Sequence, residues 1–128
     1  MKREEQAVMY NQGRNNCCQS VLLAYADRLK LSEEELRSLG AAFGAGMGGM
    51  EGNCGALCGA QMVLGMLKYH GKPIGADARA IHKEFVEKTG SAICKELKGI
   101  GTGKILCSCD DCVRYAVEVL EEKLEQES

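Results

Sequence analysis

The 128-residue chain carries 18 acidic and 16 basic side chains for a net charge of −2 and has no tryptophan, a balance without a basic patch that leaves nucleic-acid binding unsupported. One compact domain spanning residues 1–128 suits this length, and a core of that size needs no disulfide staples, so the eight cysteines serve another purpose. No apolar run reaches the roughly 20 residues that cross a bilayer, and MKREEQAVMY lacks the apolar core of an export signal; the expectation is a cytoplasmic protein with no membrane role and reduced thiols.

A single proline and apolar residues recurring at spacings of three and four predict an all-α domain. After the polar break GRNN, residues 16–30 place Cys18, Val21, Leu22, Tyr25, Ala26 and Leu29 on one helix face. Ser32 with Glu35 forms a capping-box pattern that starts a second helix, which fades in the glycines from Gly44. Residues 54–70 are apolar on nearly every side and predict a central helix buried all round, entered through the glycine-rich runs FGAGMGG and GNCGALCG. Asn53 is its expected cap, and it stops at His70-Gly71 with Pro73 beyond. Residues 76–89 repeat Ala78, Ile81, Phe85 and Val86 and stop at Gly90. A short helix from Ser91 carries Ile93, Cys94 and Leu97. The loop KGIGTGKILCS then leads to a last helix with Cys109, Cys112, Val113, Ala116, Val117, Leu120 and Leu124 as its inward stripe. The acidic end EVLEEKLEQES reads as a solvated helix end. The sum is a compact bundle of five or six helices around a buried central one, with a glycine-rich loop at its N-terminus.

Four cysteines fall in or beside a predicted first helical turn: Cys17 after Asn15-Asn16, Cys54 after Asn53, Cys94 after Ser91, and Cys112 behind Ser108-Cys109. A helix N-terminus presents unpaired N–H groups and about half a positive charge, which favours thiolate over thiol. Thiolates are what metal binding and redox exchange both require. Packing as small hydrophobes is the plainer role of any one of these cysteines. Cys109-Asp-Asp-Cys112 is a CxxC that fits half a zinc site, a redox dithiol or two core residues, with Cys107 close by.

Other motifs fall short. Gly44–Gly49 satisfies GxGxxG, but no strand precedes it. His82 beside its apolar stripe and His70 at a helix end read as helix-flanking residues. Cys112 is followed by Val113 where covalent haem attachment needs histidine, so no haem is expected.

With these residues in view, the chain resembles the redox-active family named for the pattern C_GCAxxG_C_C. The CGAxxG core reads Cys54-Gly55-Ala56-Leu57-Cys58-Gly59, Asn16-Cys17-Cys18-Gln19 matches the segment of the first family cysteine, Cys94 matches the third, and Cys112 before Val113-Arg-Tyr115 matches the fourth. The family's fold is similar to part of the split-Soret cytochromes, so the resemblance implies a helical domain with a cysteine-bound centre, held here by Cys17, Cys54, Cys94 and Cys112. Cys18, Cys58, Cys107 and Cys109 are additional to the pattern.

The first expectation is electron transfer through an iron–sulfur cluster on those four thiolates, serving a redox partner protein. The second is a thiol/disulfide carrier using Cys54 with Cys58, or Cys109 with Cys112. Residues four apart on a helix suit a disulfide poorly, so Cys109 with Cys112, or a long-range pair, is the better choice. The third is zinc on the same sulfurs, stabilising a helical interaction module. A second copy of the chain, giving a homodimer, is a further candidate partner.

Overall fold

In the computed structural model, residues 1–126 are described, and the last two residues of the acidic tail lie outside the described residues. The described residues form eight helices: α1 (Arg3–Asn11), α2 (Cys17–Ala24), α3 (Glu33–Gly40), α4 (Gly44–Met47), α5 (Gly55–Lys68), α6 (Gly75–Thr89), α7 (Cys94–Leu97) and α8 (Cys109–Gln126). The all-α class holds, and among the described residues no helix is long and apolar enough to cross a membrane.

Eight helices exceed the expected five or six, and the two additional ones have different origins. In α1 only Ala7 and Val8 are buried, too few to write a stripe in the sequence. Long-range charge pairs dock it instead: Arg3 reaches Asp27 at 2.7 Å and Glu121 at 3.0 Å, and Arg114 reaches Glu5 at 2.8 Å. The short α4 is a wound turn, with Ala45 and Gly46 at φ 52° and 60°, in the left-handed region.

α2 also ends earlier than its apolar pattern. The Arg3 guanidinium donates to the Ala24 carbonyl at 2.6 Å, which occupies an acceptor the next turn would use, and the chain turns at Tyr25. Elsewhere the local signals hold. Ser32 accepts from the Glu35 N–H while the Glu35 carboxylate accepts from the Ser32 N–H, and Gly90 closes α6 at φ 101°.

α5 packs most extensively on α2 and next on α8. Its buried residues concentrate in the first ten, Gly55 to Leu64, whereas Met66 is 39% exposed, so burial all round applies to the first half of the helix. Gly55 and Gly59 make the α2–α5 approach possible. A Cβ at Gly55 would lie 2.9 Å from the Phe43 carbonyl oxygen and 3.2 Å from the Cys18 nitrogen, and one at Gly59 would lie 2.9 Å from the Cys18 carbonyl oxygen. The core is completed by Tyr25, Leu22, Phe85, Ile81, Val113 and Leu120.

The glycine-rich segment before α5 is tied down. Met50 at φ 63° turns it, the Cys94 N–H donates to the Gly52 carbonyl at 3.0 Å, and the Cys54 N–H donates to Ala92 at 2.7 Å. An isolated antiparallel bridge joins Asn53 and Ile93. This ladder holds the starts of α5 and α7 side by side.

Candidate redox thiol site

The N-terminal ends of α2, α5 and α8 meet at one cleft of about 410 Å³, to which the start of α7 adds a wall. Cys17, Cys54, Cys94 and Cys109 line it, together with Lys98, Met50 and the asparagines 11, 15 and 16. Cys17 opens α2 behind a complete capping box in which Asn16 accepts from the Gln19 N–H at 2.8 Å. Cys109 opens α8 behind Ser108, whose hydroxyl accepts from the Asp111 N–H at 3.1 Å.

Cys54 is itself the residue at the start of α5, and no side-chain oxygen caps that helix. Asn53, expected as the cap, is engaged in the bridge to Ile93. The backbone N–H groups of Ala56 and Leu57, in the first turn of α5, help to lower the Cys54 thiol although no side-chain cap closes this helix.

The sulfurs influence one another in two pairs. Cys54 is influenced most by Cys112, buried one turn deeper in α8, and Cys109 most by Cys17, while the Cys112 thiol itself donates to the Cys107 carbonyl at 3.9 Å. Cys112, aided by the two backbone N–H groups and Lys98, pulls the Cys54 thiol down to about 7 against the opposing effect of burial. Cys17 followed by Lys98 pulls the exposed Cys109 down to about 5. Cys17 and Cys112 are pushed up, first by Cys109 and Cys54 respectively and then by burial.

The remaining sulfurs differ in setting. The Cys94 Sγ lies 3.9 Å from the Met50 sulfur, and burial raises its thiol. Gly46 accommodates it, since a Cβ there would sit 2.7 Å from the Cys94 Cβ. Cys107 neighbours Cys112, whose Sγ lies 3.9 Å from the Cys107 carbonyl oxygen. Cys18 is buried against Met62 at 3.9 Å with its thiol pushed up to about 12, chiefly by burial. Cys58 is half-buried near the Asn53 carbonyl and does not line the cleft. Neither His70 nor His82 lines it either.

A family model described as "Putative redox-active protein (C_GCAxxG_C_C)" matches residues 15–123. The chain belongs to this family. Searches of curated proteins and of solved structures returned no match.

Within the C_GCAxxG_C_C pattern, the motif glycines Gly55 and Gly59 let α5 approach α2 closely enough for Cys17 and Cys54 to share a cleft. Three of the four cysteines expected from the resemblance, Cys17, Cys54 and Cys94, face that cleft. The α8 cysteine that lines it is Cys109, whereas Cys112 reaches the group from beneath through Cys54. The CxxC is divided accordingly: Cys109 pairs with Cys17 and Cys112 with Cys54. Cys109 is exposed because it is the first residue of α8, where no preceding turn covers it, whereas Cys112 on the same face is one turn further into the packed helix. The sulfurs surround a space rather than one point. Among the described residues no three His, Cys, Asp or Glu side chains close on a single ion position.

Lys98 went unremarked in the sequence. A lysine in a glycine-rich loop carries no periodic signal, and only the fold brings its ammonium to 3.9 Å from the Cys112 sulfur.

Proposed function

We propose that this protein is an electron-transfer protein whose cleft holds an iron–sulfur centre through Cys17, Cys54, Cys94 and Cys109, with Cys112 behind Cys54. The observation that carries the reading is four thiols from the starts of four helices lining one cleft. When bound, such a centre supplies one-electron chemistry, and thiolate is the donor it requires.

The chain's own residues fit that group. Cys54 and Cys109 are biased toward thiolate, so two of the four donors are prepared before loading. The N-terminal ends of α2, α5 and α8 place partial positive charge around the sulfurs, which suits a centre of net negative charge. Backbone N–H groups at Ala56 and Leu57 favour the Cys54 thiolate.

Reconstitution with ferrous iron and sulfide under anaerobic conditions tests the donor set. Cys17→Ser, Cys54→Ser and Cys109→Ser are each expected to lose most of the bound iron, while Cys58→Ser retains it. Serine at position 54 can still cap α5, which separates lost ligation from lost folding. Full iron content in Cys54→Ser and Cys109→Ser would reject the assignment.

One observation favours a second reading. Cys17 and Cys109, the accessible first residues of α2 and α8, line one cleft, and burial of neither prevents the two-electron oxidation that would join them in a disulfide. In that reading iron-free protein loses two thiols on mild oxidation, and peptide mapping finds Cys17 linked to Cys109. A link between Cys109 and Cys112 instead would reject it.

A further inference from the structure

We infer that Lys98 is a positioning residue of the thiol site, the fixed positive charge that sets how readily the site accepts negative charge. The electron-transfer part of this inference rests on the iron–sulfur reading; the electrostatic part does not.

Lys98 occupies the C-terminal end of α7, where its N–H donates to the Cys94 carbonyl at 3.0 Å. Gly99 follows at φ 74°, and a Cβ there would lie 2.7 Å from the Lys104 carbonyl carbon, so the chain doubles back at this point. The returning strand of loop is held by the Leu106 and Cys107 N–H groups, which both donate to the Leu97 carbonyl, at 3.0 and 3.3 Å. This clamp leaves the Lys98 side chain half-buried between α7 and the start of α8, lining the cleft.

Its polar side-chain neighbours there are sulfurs. The ammonium donates to the Cys112 Sγ at 3.9 Å and lines the same cleft as Cys54 and Cys109. Among the described residues no carboxylate pairs with it, in contrast with Arg3, Arg114 and Lys88, which each meet acids. A lysine half-removed from water without a carboxylate partner has its compensation in the group it faces. Asp110 and Asp111 start α8 nearby, but Asp110 is taken by Asn11 and Gln12, and Asp111 by Arg114. The positive charge of Lys98 therefore acts on the sulfurs. One-electron reduction of a bound centre adds one negative charge, so a fixed cation at this place favours the reduced state.

The test reads local potential directly in iron-free, reduced protein. Iodoacetate is anionic and iodoacetamide neutral, and both alkylate the same thiolate, so their rate ratio at Cys109, followed by peptide mass spectrometry, cancels the thiolate fraction. A unit charge in water changes the ratio by roughly fivefold at about 4 Å and by less at the greater distance of a reagent bound at Cys109, so a change of about twofold to fivefold is expected. Lys98→Met is expected to lower the ratio by about that factor, Lys98→Arg to restore it, and Lys95→Met, which removes an exposed lysine of the same helix, to leave it unchanged. The native ratio should also exceed that of the urea-unfolded chain, a comparison that needs no variant. An unchanged ratio in Lys98→Met, an equal fall in Lys95→Met, or a native ratio matching the unfolded one would each overturn the inference. With the iron-loaded protein, Lys98→Met is expected to lower the midpoint potential and Lys98→Arg to restore it; an unchanged potential alongside a changed alkylation ratio would overturn the electron-transfer part alone. Failure to load iron would count against the cluster reading and leave the alkylation test standing.

Discussion

At the scale of single residues, the same helix provides a contrast between a glycine that packing demands and one that it does not. Gly59→Ala would push a methyl group to 2.9 Å from the Cys18 carbonyl oxygen, a backbone atom that cannot move alone, and should destabilise the protein by about 1–3 kcal/mol. Gly65→Ala, on the same helix, meets nothing within 4 Å and should stabilise by about 0.5–1 kcal/mol through reduced chain entropy in the unfolded state. Chemical denaturation of the two variants under reducing conditions measures both, and a shared sign would contradict the packing account. Part of the site was legible at this scale: Cys17, Cys54 and Cys94 all line the cleft at helix starts, but only Cys17 lies behind a capping residue, since α5 and α7 begin at Cys54 and Ile93 with no side-chain cap from Asn53 or Ser91. The choice between Cys109 and Cys112 was not, since both sit in the first turn of α8 and only how much of that turn the fold covers decides which sulfur is exposed.

At the scale of elements, helices with a wide apolar face were readable and the element held by charge was not. α6 and the core stripe of α8 follow their periodicity closely, whereas α1 buries two side chains and depends on pairs with residues over a hundred positions away. That dependence has a pH signature. The carboxyls of Glu5, Asp27 and Asp110 are each held below their ordinary range, Glu5 by Arg114, Asp27 by Arg3 and Asp110 by Asn11 and Gln12. A lowered folded-state value means that the contribution is complete above the unfolded value and is lost as pH falls through the folded one. α1 should therefore loosen below about pH 4 while the α2–α5 contact persists. Hydrogen exchange checks this: protection at Val8 should fall ahead of protection at Val63 as pH drops, and a simultaneous loss would mean that α1 is no separate unit.

At the scale of the whole molecule, the fold converges three helix N-termini on one cleft in a chain of nearly balanced charge. The all-α class was legible because one proline and sustained helical spacing leave no room for strands. The convergence was not, since it depends on the close α2–α5 approach and on the hydrogen-bonded ladder between residues 50–54 and 92–95, neither of which has a periodic signature. A bundle that only packed its cysteines as small hydrophobes would scatter them through the core, as it does Cys18. Gathering four at one opening is what a bound centre would require. The most direct measurement is iron and acid-labile sulfide per chain in protein purified without oxygen, with visible absorption recorded before and after reduction. The account predicts iron and sulfide in equal amounts, about two or four of each per chain, and a visible band that bleaches reversibly. Colourless, iron-free protein that stays so after anaerobic reconstitution would contradict it.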